Sequence, residues 1–206
     1  QRLEGLGHPV FWWEVPHRRE PDAGEAAVRL PSGLLAPVSQ VEFTRSELER
    51  VRVRLGEARG SWISDDMLTE GIRSANRIRK ILSELCRLAY GAPRCPMPAL
   101  EMQIAEMLAI HFCSDRAEAE AVLSELLREV ERRVSDDESA LACDPARVFW
   151  VNPVADLRSM NLLEDCGARV CGTDYMFGHA LDLIPEDCHP LEALARRYIC
   201  THCPRT

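Results

Sequence analysis

Residues 147–171 decide the fold: Arg147-Val148-Phe149-Trp150-Val151, then Asn152-Pro153-Val154-Ala155-Asp156, then Leu157 to Cys166, then Gly167-Ala168-Arg169-Val170-Cys171. The run Val148 to Val151 is β-branched and aromatic, the composition of a buried strand. Asn152 to Asp156 forms a loop, and Leu157 to Cys166 has the texture of a short helix. Gly167 stops that helix, because glycine adopts the left-handed conformation that ends one. Ala168 to Cys171 then reads as a second strand. Strand, helix and strand in this order form a βαβ unit, which places its loops at the carboxyl edge of a parallel sheet. Ligands gather at that edge in open α/β folds. A turn-rich segment and an amphipathic helix, Pro190 to Ile199, follow.

Working back toward the N-terminus, helical texture dominates. Asp115 opens a helix through Ala119, Val122, Leu123, Leu126, Val130 and Val134, and Pro96 and Pro98 precede one bearing Met102, Ile104, Met107, Leu108 and Ile110. The clearest stripe is Leu68, Ile72, Ala75, Ile78, Leu82, Leu85 and Ala89, capped by Ser64 with Asp65 and Asp66 in its first turn. Ser39 to Leu55 is another helix, punctuated by Gly56 and Gly60. Pro9 to Val15 is dense in aromatic and β-branched residues and is expected to be a buried strand, with a crossing loop from His17 to Pro37 and a short extended piece at Ala27 to Leu30.

The fold class expected is α/β, a helical middle layer followed by an incomplete flavodoxin- or Rossmann-like parallel sheet. Residues 1–38 would end a preceding α/β domain and its crossing loop, 39–138 form a helical domain, and 139–206 begin a C-terminal flavodoxin-like domain. The chain starts with Gln1 and finishes at Cys203-Pro204-Arg205-Thr206 without a closing element, so it reads as an internal part of a longer polypeptide.

Composition excludes several classes. The 206 residues are 46% hydrophobic and 28% charged, as in a globular protein. A net charge of −8 lacks the basic field that nucleic acids and anionic membranes require. No apolar run approaches the roughly 20 residues that cross a bilayer. Nine cysteines, an odd number with no framework, several on apolar faces (Cys86, Cys113), suit unpaired thiols in a reducing cytoplasm. The Arg-rich faces (Arg50, Arg52, Arg54; Arg128, Arg132, Arg133) alternate with glutamates and read as solvated helix surfaces. His111, among Ile110, Phe112 and Met107, reads as a core or interface histidine.

The order of these pieces carries a resemblance. Trp62-Ile63-Ser64, Asn76-Arg77, Arg147 to Val151, Leu163-Glu164-Asp165-Cys166-Gly167-Ala168-Arg169-Val170 and Leu191-Glu192-Ala193-Leu194-Ala195-Arg196-Arg197-Tyr198 follow one another. This resembles the central and early C-terminal portion of the 2-hydroxyacyl-CoA dehydratase and benzoyl-CoA reductase family, in its D-component-like subunits. The resemblance implies an oxygen-sensitive enzyme of two related subunits, an iron–sulfur (4Fe-4S) cluster held by cysteines, and an ATP-dependent activator that donates low-potential electrons. It implies an acyl-CoA thioester as substrate, dehydrated through a ketyl radical or reduced at an aromatic ring. On the family pattern the cluster cysteines fall before Gln1 and after Thr206, so no cluster is expected on these residues. Two turns depart from the pattern, Asn152-Pro153-Val154 and Tyr175-Met176-Phe177-Gly178-His179.

Those same turns hold the candidate substrate-facing residues. Tyr175 or His179 would donate a hydrogen bond to the thioester carbonyl, and Gly178 would allow close backbone approach. The competing reading makes the aromatic residues here a cap on the core. Asn152 shares the edge, while Asp156 is better read as a helix cap. A weaker reading draws zinc to Cys188, Cys200, His202 and Cys203, since thiolate and imidazole suit that ion. A single Cys-x-x-Cys lacks the second knuckle of a structural zinc site, and incidental cysteines at a helix end are preferred. No metal is therefore assigned. The alternative function is a non-catalytic docking or scaffolding fragment, and open strand edges in an incomplete sheet would favour self-association.

Overall fold

A computed structural model describes residues 2–110, 115–141, 145–151, 158–173 and 181–201. In chain order the elements are α1 (Arg2–Gly5), β1 (Ala27–Arg29), β2 (Leu35–Pro37), α2 (Val38–Arg59), α3 (Asp65–Gly91), α4 (Ala99–Ile110), α5 (Arg116–Ser135), β3 (Ala146–Trp150), α6 (Arg158–Asp165), β4 (Ala168–Thr173) and α7 (Pro190–Thr201). The class is mixed α/β, with a helical layer and a small parallel sheet. Two compact units divide the chain, residues 1–72 with 184–206 and residues 73–183.

In the first unit β1 and β2 pair antiparallel, and α2 lies along α7. Leu30, Ala36, Val41, Ala195, Ile199 and Cys200 form the core between them. α2 ends at Gly60, whose φ of 75° is left-handed and whose N–H returns to the carbonyl of Glu57. That conformation is why a glycine stands there. Ser64 Oγ accepts the Met67 N–H at 3.2 Å, capping α3 as its sequence requires.

Pro9 to Val15 is not a strand. These residues take no regular structure, and Trp12 is 61% exposed. Apolar content does not make a strand unless backbone groups find a ladder, and here side chains of α2 meet them instead. Glu47 Oε2 accepts the Glu14 N–H at 3.0 Å, and Arg50 donates to the Trp12 carbonyl at 3.3 Å. The Arg50 guanidinium lies 5.1 Å from the centre of the Phe11 ring, and Trp13 meets Tyr198 edge-on at 5.2 Å. The run is thus an extended strap on helices.

Arg52 also corrects the sequence reading, being buried rather than solvated. Its Nε donates to the Ile63 carbonyl at 2.6 Å, its Nη1 to Asp65 Oδ1 at 2.8 Å, and its guanidinium stacks 4.4 Å from the Trp62 ring centre. Stacking and bidentate reach are what arginine offers in a half-dry site.

The second unit is built on the stripe of α3. Ile78, Leu82, Leu85 and Ala89 pack with Met97, Met102 and Ala105 around α4 and with Ala119, Leu123 and Val130 of α5. Asp115 caps α5, its Oδ1 accepting from Ala117 and Glu118 N–H at 2.9 and 3.0 Å. Beside this layer β3 and β4 pair in parallel, joined through α6. Ala99, Met160 and Val170 make a small core under them, with Val148, Trp150 and Leu163 against it.

Candidate functional site

Parallel pairing sets the geometry. Ala146, Arg147 and Val148 lie opposite Ala168, Arg169 and Val170, and Trp150 lies opposite Thr173. The register shifts between Val148 and Trp150, so one extra residue enters β4. Trp150 and Thr173 therefore finish the two strands side by side. Residues 152–157 and 174–180 include all four candidate substrate-facing residues, Asn152, Tyr175, Gly178 and His179, with Asp156. All five lie outside the described residues, as do His111, His202 and Cys203.

The extra residue in β4 has a visible function. A Cβ built on Gly172 would sit 2.8 Å from the ring of Phe149, closer than atoms tolerate. Lacking one, Gly172 lets the aromatic ring lie directly against the β4 backbone. Phe149 in β3 and Val151 just past its end are each 62% exposed. The carboxyl edge is therefore floored by apolar surface.

Two buried charges hold this edge to the helices of the same unit. Arg169 of β4 donates to the carbonyls of Ala89, Ala92 and Pro93 at 2.8, 2.9 and 3.2 Å. Ala89 lies in the last turn of α3 and Ala92 and Pro93 just past it, where the macrodipole favours a cation. Glu164 of α6 accepts the Ala99 N–H at 3.1 Å, at the start of α4, where an anion is favoured. Burial raises the Glu164 carboxyl above its ordinary value, and the Ala99 N–H opposes that rise. Gly167, at φ 89°, turns the chain from α6 into β4, and its carbonyl accepts the Ala146 N–H at 2.9 Å. Sequence reading missed both caps. A charged pair flanking the glycine that joins helix to strand was the available signal.

In the first unit a cleft of about 570 Å³ is lined by Glu42, Arg45, Ser46, Glu49, Arg52, His189 and Leu191. His189 caps α7, its Nδ1 accepting the Leu191 N–H at 3.3 Å, and its Nε2 lies 3.2 Å from Asp65 Oδ2. Both ring nitrogens are thereby engaged, and Asp65 ties Arg52 to His189. Charges of both signs line this cleft, so it presents no net field to an anion.

Of the candidate zinc group, Cys188 and Cys200 are described, and His202 and Cys203 fall outside the described residues. Cys200 is packed in the apolar core of the first unit, and Cys188 is half-buried, its thiol pushed up chiefly by burial. Cys86, Cys95, Cys166, Cys171 and Cys188 are free thiols. Among the described residues no three His, Cys, Asp or Glu side chains converge to hold a metal. The described residues thus offer no ligand set for a cluster or zinc. Among them, too, no helix is long and apolar enough to cross a membrane.

A parallel strand pair set beside a helical layer defines a mixed α/β protein. Its family follows from comparison with known proteins. The profile described as 2-hydroxyglutaryl-CoA dehydratase, D-component, matches residues 3–206. The chain belongs to that family, which is associated with acyl-CoA substrates, a partner subunit and iron–sulfur clusters. No curated protein matches the chain.

Proposed function

We propose that this chain forms the acyl-CoA-binding part of an iron–sulfur-dependent subunit of the 2-hydroxyacyl-CoA dehydratase or benzoyl-CoA reductase type. The thioester lies at the carboxyl edge of β3 and β4, over the apolar floor of Phe149 and Val151. Tyr175 or His179 donates a hydrogen bond to its carbonyl as negative charge develops there, Gly178 lets the backbone approach, and Asn152 contacts the substrate from the neighbouring loop. The bound cluster supplies electrons of low potential, and residues outside 1–206 ligate it. A second related subunit and an ATP-dependent activator complete the system, in the cytoplasm.

The observation that carries this reading is the parallel register that ends with Trp150 beside Thr173, taken with the family match across residues 3–206. Titration of the protein with a 2-hydroxyacyl-CoA, followed by calorimetry, tests it. Saturable binding that weakens about tenfold in Tyr175→Phe or His179→Ala is expected, on the scale of one lost hydrogen bond. Absence of binding by any acyl-CoA overturns it.

A second reading keeps the chain as a docking element. The exposed aromatic residues Trp12 and Trp62 of the first unit favour it. Such a protein would capture the partner subunit while ignoring acyl-CoA.

A further inference from the structure

The helix α4 reads Ala99-Leu100-Glu101-Met102-Gln103-Ile104-Ala105-Glu106-Met107-Leu108-Ala109-Ile110. It is apolar nearly all round, the pattern of a helix covered on most sides. Two polar side chains are covered with it. Gln103 is 6% exposed and Glu106 5%, and Gln103 Oε1 is buried without a hydrogen-bond partner among the described residues.

Glu106 has a weak partner. Among the described residues its one hydrogen bond comes from the thiol of Cys86 on α3, Sγ to Oε1 at 3.5 Å. Tyr90, one turn further along α3, is the other titratable group facing it. Glu164 of α6 and Cys171 of β4 face Tyr90 rather than Glu106. Among the described residues no cation pairs with Glu106, and no titratable group of α5 acts on it.

We propose that Glu106 is a buried proton-binding site that couples the packing of α4 against α3 to pH. A neutral carboxyl suits these surroundings. A carboxylate does not, because a thiol is a poor donor and a buried anion without a cation is costly. Burial lifts this carboxyl from its ordinary value to about 7. Cys86 and Tyr90 are pushed up as well, chiefly by burial, so both stay neutral and offer no compensating charge. In the unfolded chain the carboxyl ionises at its ordinary value. Between that value and about 7 the unfolded state has lost a proton that the folded state keeps. Stability therefore falls as pH rises through this window and levels off above it.

Urea unfolding of the protein and of Glu106→Gln, from about pH 5.5 to 8.5, tests the proposal. Relative to the Gln variant, the unfolding equilibrium constant of the wild type should rise roughly tenfold or more across that range. Parallel pH profiles for the two proteins overturn it. A second measurement needs only the wild type: hydrogen exchange at the α4 amides, corrected for its intrinsic pH dependence. Protection should fall above neutral pH in α4 more than in α5, and equal behaviour of the two helices overturns the proposal even if the Gln variant does not fold.

Discussion

Arg169 on β4 closes the last turn of α3 by donating from Nη2 to the Ala89 carbonyl at 2.8 Å, eighty residues back in the chain. The guanidinium also spans the carbonyls of Ala92 and Pro93, just past the end of α3. Arg169→Met should cost about 2–4 kcal/mol in urea unfolding, since buried acceptors lose a charged donor. Arg169→Lys should fall between, because a point charge cannot fork to three oxygens. By contrast, Glu164→Gln keeps an acceptor for the Ala99 N–H and removes a carboxyl whose ionised form burial disfavours. It should be close to neutral near pH 8.

Gly172→Ala brings a methyl against the Phe149 ring. The ring is exposed and can swing away, so the cost should stay near 1 kcal/mol, at the mild end for overpacking. Most of that cost should vanish in a Phe149→Ala background. A double-mutant cycle by thermal unfolding reads the coupling, and strictly additive effects would mean the ring does not rest on the glycine.

On the acid side the sign reverses from that at Glu106. The Arg50 guanidinium, with help from the Glu14 N–H, holds the Glu47 carboxyl below its ordinary value. Its contribution is present above that ordinary value and lost as pH falls through the lowered one. Glu47→Gln should lower stability near neutral pH and flatten the acid limb below about pH 5, where the wild type loses this contribution. Unfolding midpoints at closely spaced pH values measure it.

Asp65 receives both Arg52 and His189. Asp65→Ala should cost about 1–2 kcal/mol, less than a fully buried pair, because the carboxylate is itself half-exposed. Asp65→Asn should cost less, retaining one acceptor. Chemical denaturation separates the two, and equal losses would show that the charge is what matters.

Much of this fold was legible in residue order. Val148 to Val151, Leu157 to Cys166 and Ala168 to Cys171 read as strand, helix and strand, and the structure has β3, α6 and β4 there. β4 runs on through Gly172 to Thr173. Glycine usually weakens a strand, and only the ring above it reveals why this one belongs. Pro9 to Val15 misled because β-branched and aromatic content reports apolar contact, and helices can supply that contact as well as a sheet. Arg52 was hidden by its neighbours: it alternates with exposed arginines, and its burial depends on Trp62 folding back over it. Glu106 was more accessible than it looked, since a charge inside a helix apolar all round has nowhere dry and paired to go. Of the candidate site, the residues that sequence named lie outside the described residues, and the charges that fasten the strand pair came from two caps without a periodic signature.

The guanidinium of Arg169 has a mechanical corollary. The strand pair is moored to the terminus of a long helix through a single side chain, so cutting that mooring would release the carbonyls of Ala89, Ala92 and Pro93 at one stroke.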